Sequence, residues 1–378
     1  MKRGARPPGT ITPAHASQIA NILKCAAAAS IFYYHFFYRL GAPVGFQFRF
    51  HPDFFHHVVA AWSWNPAVLS RLLLSNFGYL GVTVFYLVSG WGLTTSHLNK
   101  IGEPFSWRQY LVKRALRIYP LYILALLFAA LLAHLRGATL SLIGSALVIN
   151  LLLLQNVLPS TMFWLLGPAW FLPTLAVLYG LFPLLFKQFS RHPQRSLVAA
   201  LAFTVANQLT ILFTPLHVLH PFLLMAAWPL VRLAEFSLGI WFAVMLAGDR
   251  GKRAARYGPG VLAFAGAGLL GLGVIGLRQE YLYLQHPLLL VAGGLLLGLS
   301  PLSGLASMAT IGPLLQTLGK FSYGVFLFHQ PLIFWFVDET RGRGFMRYPL
   351  ATATVLLIAL WCLMIPLEKA VRRRESAA

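Results

Sequence analysis

The feature that most constrains this chain is a succession of apolar runs, each about as long as a membrane is thick. Eleven such runs lie at about 18–39, 77–97, 115–135, 140–157, 168–187, 196–214, 227–247, 258–277, 282–300, 319–337 and 348–368. Backbone polar groups in lipid have to be satisfied within the protein, and the runs lack the period-two alternation of a β-barrel. The sequence therefore predicts an all-α, polytopic transmembrane helical bundle. It forms one domain over 1–378, with a core at about 15–370.

The charge balance supports a membrane protein and gives it a direction. Only 10% of the residues are charged, against about 25% in a soluble domain. The chain contains thirty Lys and Arg residues and nine Asp and Glu residues, which gives a net charge of +21. In a soluble chain this excess would suggest nucleic acid as a partner. In a bundle it is typical of cytoplasmic loops, so we expect the lipid bilayer as a partner and no nucleic acid.

The positions of the basic residues predict the topology. Basic stretches lie at 2–6, 100–117, 187–195, 250–256 and 372–374, whereas the loops 157–167 and 215–226 carry no charge. Loops rich in Lys and Arg stay inside, so both termini are predicted to be cytoplasmic and the number of crossings even. Eleven is odd, and the run at 140–157 is short. We therefore expect about ten crossings plus one partial, re-entrant or interfacial segment.

The first apolar run contains a cation and an imidazole, Lys24 and His35. Eleven residues at about 100° each are close to three full turns, so both side chains share one helix face, about 16 Å apart along the axis. Charged groups inside a membrane cost about 3 kcal/mol or more, and they mark functional interiors by default. The topology places Lys24 towards the cytoplasm and His35 towards the outside. A neutral histidine can act as a general base, although this one could also belong to an interfacial aromatic belt.

Two further groups have alternatives that stay open on the sequence alone. Arg114 and Arg117 share a helix face and could bind phosphate as a bidentate pair, or they could anchor a span at the cytoplasmic surface. Ser89 lies among small residues, and for it a role in helix packing is favoured over a catalytic one.

Further along the chain, Arg232 and Glu235 lie three residues apart. They could form a structural ion pair within one helix, or they could make a functional contact. His329 falls near the middle of its run and could be a ligand-facing or a satisfied core histidine. The histidine cluster at 51–57 matches no helical zinc motif, so no metal site is predicted.

Several of these stretches, in this order, resemble the acyltransferase-3 family of integral membrane acyltransferases, of the polysaccharide O-acetyltransferase type. The family has a basic residue and a histidine in its first helix, a Gly-Val-rich second helix, an Arg-x-x-Arg pair, a Trp-Leu stretch and a Ser-Tyr stretch ending in histidine. The matching residues are Lys24 and His35; Gly81, Val82, Phe85, Ser89 and Gly90; Arg114, Arg117, Tyr119 and Pro120; Trp170, Leu172, Tyr179 and Pro183; and Ser322, Tyr323, Leu327 and His329. Two positions depart from the family, because its aspartate in the second helix is Thr83 here and its glutamate after the tryptophan is Leu175.

The resemblance implies transfer of an acyl group, usually acetyl, from acyl-CoA to a hydroxyl of an exported or surface polysaccharide or a lipid-linked oligosaccharide. Acetyl-CoA would then be a co-substrate, with no permanently bound cofactor. In that scheme His35 is the base, Lys24 lines the channel, and Arg114 and Arg117 hold the phosphates of CoA. Support for the substrate or the structure would come from Ser89, Trp170, Tyr179, Arg232, Glu235, Tyr323 and His329. The alternatives are a transporter or flippase for a glycan or an anionic solute, and a catalytically inactive relative, which Thr83 and Leu175 favour.

Overall fold

The computed structural model describes residues 13–40, 77–100, 105–224, 228–247, 259–276, 286–340 and 348–377. This part of the chain is helical and contains no strand. Its α-helices of ten residues or more are α1 Pro13–Arg39, α2 Leu80–His97, α3 Trp107–Leu135, α4 Leu140–Leu151, α5 Phe171–Arg191, α6 Pro193–Leu212, α7 Leu233–Ala247, α8 Pro259–Gly276, α9 His286–Ser307, α10 Ile311–Lys320, α11 Ser322–Thr340 and α12 Pro349–Ala377. A four-residue helix, Leu216–Leu219, follows α6, and 3-10 turns at Gly167–Trp170 and Pro229–Arg232 lead directly into α5 and α7. The all-helical prediction is confirmed for the described residues.

Membrane-spanning length is found in several of these helices. Within the described residues, five segments are long and apolar enough to cross a membrane: Trp107–Leu135, Gly167–Arg191, Pro193–Leu212, Pro229–Ala247 and Pro349–Arg372. Helix α1 is not among them although it has 27 residues, because polar groups such as Asn21, Lys24 and His35 lower its hydropathy. The number of crossings and the cytoplasmic position of the termini stay predictions.

The run at 140–157 is not one helix, which agrees with its prediction as a partial segment. Helix α4 has 12 residues, so it is about 18 Å long and shorter than the hydrocarbon core of about 30 Å. From Leu152 to Leu166 the chain is irregular. Side chains hold this stretch, since the amide nitrogens Gln155 Nε2 and Asn156 Nδ2 donate to the carbonyl oxygens of Ala169 and Trp170 at 2.9 and 2.8 Å.

A second difference from the apolar runs is α10, a ten-residue helix that follows the run at 282–300 and overlaps only the start of the run at 319–337. It packs against α1, and its Gly319 contacts the backbone of Asn21 so closely that a side chain there would collide with the Asn21 carbonyl. None of the eleven runs covers 301–318, so the sequence prediction missed this helix, of which only the last two residues fall in the run at 319–337.

Helices α2 and α7 form one of the closest contacts in the bundle. A Cβ atom at Gly90 would collide with the carbonyl oxygen of Phe236, and one at Gly239 would collide with that of Leu87. Small residues let two helix backbones approach closely, which is a common way of packing helices in membranes. The predicted packing role of the glycine-rich second run is thus visible in the structure, and the contact brings Thr83 next to Glu235.

Helix α1 and helix α11 run in the same direction along the bundle. Asn21 of α1 lies beside Gly319, just before α11, and Arg39 at the end of α1 is bonded to Asp338 near the end of α11. Two ends of the bundle are defined in this way. The end that contains Arg39, Arg136 and Asp338 is called the cavity end below, and the end that contains Lys24, Arg117 and Arg372 is called the cationic end.

Candidate active site

A cavity of about 900 Å³ lies towards the cavity end. It is enclosed by α1, the start of α2, the end of α3, the segment 163–170 and α11. This volume is within the range of small-molecule sites. The lining is mostly apolar and aromatic, with a few polar side chains. It includes His35, Arg136, Trp164, Trp170, Arg232 and His329.

The two histidines of the cavity are in contact with each other. The ring centroids of His35 and His329 are 5.0 Å apart, with an angle of 47° between the ring planes. His329 Nδ1 lies 2.6 Å from the carbonyl oxygen of Phe326. Because a carbonyl oxygen can only accept, Nδ1 of His329 carries a proton, and in the neutral form of the ring Nε2 then has a free lone pair.

Both rings leave a buried nitrogen unpaired. Nδ1 of His35 and Nε2 of His329 are buried and have no hydrogen-bond partner among the described residues. Such groups are rare in folded proteins, because an unpaired buried polar atom costs about 1–3 kcal/mol. Two unpaired nitrogens on adjacent rings in one cavity indicate a site in which a bound substrate, or a rotation of the rings, supplies the missing hydrogen bonds.

Beside the histidines lies a buried ion pair. Arg232 lines the cavity, and its Nη1 donates to Glu235 Oε1 at 2.7 Å. The hydroxyl of Thr83 donates to the same oxygen at 2.9 Å. The pairing predicted from the three-residue spacing is therefore present. Glu235 also lies against Thr83, the position at which the resemblance implies an aspartate, so a carboxylate from a different helix occupies this region.

An aromatic cluster borders the cavity at Phe326. Phe326 lines the cavity, and its ring lies 5.4 Å from that of Phe85 and 5.2 Å from that of Phe171, which are not lining residues. Trp170 precedes Phe171 and forms part of the wall. In this conformation the aromatic cluster Phe85–Phe171–Phe326 lies between the cavity and the polar groups further along the bundle.

The cationic end is organised by a glutamate that the sequence did not single out. Glu368 of α12 is buried, and its Oε2 pairs with Arg372 at 2.7 Å. Its Oε1 accepts from the backbone nitrogen of Gly324 in the first turn of α11 at 2.6 Å. Lys24 interacts electrostatically with Arg117, Arg372 and Glu368. One carboxylate therefore faces three cations at this end.

The remaining predicted residues form a layer next to these cations. Arg114 lies 5.9 Å from the ring of Tyr110 and has a buried Nε without a partner in the described part of the chain. Tyr179 lies within electrostatic reach of Arg114 and Arg117, and its side chain interacts with that of Ser89. The hydroxyl of Tyr323 donates to the carbonyl oxygen of Ile118 at 3.2 Å. Tyr323 also interacts electrostatically with Arg117 and Glu368.

The structure thus divides the predicted site residues into two groups. His35, His329, Arg232 and Trp170 line the cavity, with Glu235 behind Arg232. Lys24, Arg114, Arg117, Ser89, Tyr179 and Tyr323 lie outside it. Lys24 was expected to line the same channel as His35, but the cavity does not extend to Lys24 in this conformation.

Sequence reasoning missed three residues, Glu368, Arg136 and Asp338. Glu368 had a signal, since it precedes Arg372 by four residues within an apolar helix. Arg136 and Asp338 had none, because charges at the ends of apolar runs look like ordinary interfacial residues. The described residues contain no group of three His, Cys, Asp or Glu that could hold a metal, and the histidine cluster at 51–57 lies outside them.

Comparison with known proteins gives two matches of different extent. A family model described as an acyltransferase domain, the acyltransferase-3 model, matches residues 19–364. The protein named Acyltransferase MdmB, from Streptomyces mycarofaciens, is 29% identical over 218 residues, which is 51% of this chain and 52% of that protein. The chain thus matches about half the length of this relative. No solved structure matches the chain significantly.

Proposed function

Because the chain belongs to the acyltransferase-3 family, we propose that it transfers an acyl group, acetyl in the simplest case, from acyl-CoA to a sugar hydroxyl. The acceptor is an exported or surface polysaccharide or its lipid-linked oligosaccharide precursor. The protein acts in a bacterial inner membrane. The observation that carries this proposal is the position of His35, whose ring lines a cavity large enough for a sugar while Lys24 of the same helix belongs to the cationic end.

The cavity has the composition expected of a sugar site. Its wall includes the indole rings of Trp164 and Trp170, which offer large apolar faces with a polar edge. Polar groups are fewer than apolar ones, and they include His35, His329 and Arg232. Such a site binds the acceptor by its apolar faces and orients one hydroxyl towards the histidines.

In the proposed reaction His35 is the general base and His329 positions it. Rotation of the rings lets Nδ1–H of His35 donate to Nε2 of His329, whose tautomer is already set by Phe326. Nε2 of His35 then takes the proton of the acceptor hydroxyl as its oxygen attacks the thioester carbonyl. The tetrahedral intermediate collapses with cleavage of the carbon–sulfur bond, and the imidazolium of His35 returns the proton to the leaving thiolate of CoA.

The donor enters from the other end in this scheme. Arg114, Arg117 and Lys24 bind the phosphates of CoA, because guanidinium groups hold phosphate oxygens with paired hydrogen bonds. Glu368 positions two of these cations, Arg117 and Lys24. Since the aromatic cluster Phe85–Phe171–Phe326 separates the two groups, the pantetheine arm has to displace it to bring the thioester to His35.

The direct test is the variant His35→Ala. Loss of a general base lowers turnover by about 10²–10⁴-fold, while binding of acetyl-CoA at the other end stays normal. Release of free CoA and acetylation of the glycan are measured in proteoliposomes, with His134→Ala as the control, because His134 is exposed at the end of α3. Near-normal acetylation by His35→Ala at normal expression would overturn the base assignment. Glycan transport without any release of CoA by the unchanged protein would favour a transporter or an inactive relative instead.

A further inference from the structure

A shared carboxylate holds two arginines together, and one of them, Arg136, lines the cavity. Arg39 Nε donates to Asp338 Oδ1 at 2.8 Å, and Arg136 Nη2 donates to Asp338 Oδ2 at 2.9 Å. The three residues come from the end of α1, the turn after α3 and the end of α11. Two guanidinium groups and one carboxylate leave a net charge of +1 in this cluster. Arg39 is four residues beyond His35, so these two residues of α1 are about one helical turn, roughly 6 Å, apart along the helix axis.

Arg136 is held in a way that leaves most of its donors available. Both of its hydrogen bonds use Nη2, which donates to Asp338 and to the carbonyl oxygen of Phe334 at 3.3 Å. Nε and Nη1 have no bond within the described part of the chain. The side chain lines the cavity and is 44% exposed. A guanidinium that is fixed by one nitrogen and open at the others is suited to bind a carboxylate or phosphate oxygen.

The charged side chains that line the cavity are all positive among the described residues. Among the described lining residues the charged side chains are Arg136 and Arg232, and neither aspartate nor glutamate is present. The carboxylates that balance them, Asp338 and Glu235, are not lining residues. A cleft lined by one sign of charge attracts the opposite charge, and the low dielectric of a membrane interior strengthens this attraction.

We propose that the acceptor is acidic, and that its anionic group binds Arg136 while a nearby hydroxyl faces His35. This inference rests on the proposed function and specifies its substrate class. Because Arg39, which shares Asp338 with Arg136, is only about one helical turn from His35 along α1, the anion in this proposal belongs to the acylated sugar or to its direct neighbour. A sugar carboxylate, as in a uronic acid, and a phosphate of a lipid-linked sugar present the same oxygen chemistry to the guanidinium.

The experiment compares matched acceptors with the full-length protein in proteoliposomes. The probes are trigalacturonic acid, its fully methyl-esterified form and a polyprenyl-phosphate-linked galactose, each tested for acetyl transfer and for binding by calorimetry. We expect an anionic probe to exceed the neutral ester by at least about tenfold in kcat/KM and in affinity, and the better of the two anions identifies its source. The variant Arg136→Gln should raise KM for the anionic probes more than KM for the ester and so remove this preference. Arg195→Gln removes an exposed charge from another part of the chain and should change nothing.

Two outcomes would overturn the inference. One is equal binding and use of the neutral ester and both anionic probes. The other is an equal loss on all probes in Arg136→Gln, which would indicate a structural role. Failure of the proposed function gives a different result from these two outcomes, because none of the probes would then cause a release of CoA that depends on His35. Calorimetry still reports whether Arg136 selects an anion in that case.

Discussion

At the scale of single residues, the main question is what orients His35. The position of the family's aspartate is Thr83, and that residue is bonded to Glu235 and not to the histidine. The ring in contact with His35 is His329, whose Nδ1 is committed to Phe326. A neutral imidazole with a fixed tautomer can do part of what a carboxylate does, since it accepts from Nδ1–H and leaves Nε2 of the base free.

We expect His329→Leu to lower kcat by about 10- to 100-fold, because a hydrogen bond to a charged group contributes about 1.5–3 kcal/mol. His329→Gln, which keeps an acceptor atom on a side chain of similar length, should recover much of this loss. In the double variant His35→Ala/His329→Leu the second change should add nothing, since His329 acts through His35. The measurement is a double-mutant cycle in kcat at saturating acetyl-CoA. Additive effects, or a matching loss of acetyl-CoA affinity, would show that His329 only supports the fold.

At the scale of elements, helix α3 connects the two ends of the site. Its first half carries Arg114 and Arg117, and the turn after it carries Arg136 at the cavity. Arg114 and Arg117 lie close to the partners Tyr179 and Glu368. Exposed Arg108 and Lys113 lie on the same half of the helix. This gives a matched comparison, because both pairs have the same charge and the same helical surroundings.

The double variant Arg114→Ala/Arg117→Ala should weaken binding of acetyl-CoA by at least about tenfold, since each arginine provides a charged hydrogen bond to a phosphate. Arg108→Ala/Lys113→Ala should bind almost normally. Equilibrium binding in detergent measures both. A similar weakening in the two double variants would mean that only net charge matters, and unchanged binding in the first would remove Arg114 and Arg117 from the donor site.

At the scale of the whole molecule, the residues at each end of the bundle come from stretches that the charge pattern predicts to lie on the same side of the membrane. Arg39, Arg136 and Asp338 fall in stretches that the topology predicts to be external, and the structure brings them to one end. Lys24, Arg117 and Arg372 are predicted to be internal and meet at the other end. The proposed reaction depends on this polarity, because the thioester is cytoplasmic and the acceptor is external.

We expect Ser141→Cys, near the cavity end, to react with a membrane-impermeant maleimide in intact cells. Arg195→Cys should react only after the membrane is permeabilised. Both positions are exposed, and the chain has only two other cysteines, so Cys25→Ser/Cys362→Ser provides a clean background. Reversed labelling would invert the topology and place the cavity on the cytoplasmic side.

The sequence by itself determined the helical class, the face shared by Lys24 and His35, the Arg232–Glu235 pair and the shortness of the 140–157 segment. These properties are local, since they depend on hydropathy, on the helical period and on spacings of a few residues. Only the tertiary structure decided which groups meet across helices. Thr83 is bonded to Glu235, 152 residues away, and Arg136 to Asp338, 202 residues away. Such contacts depend on how close the helix backbones pack, as at Gly90 and Gly239, and no local pattern records that distance.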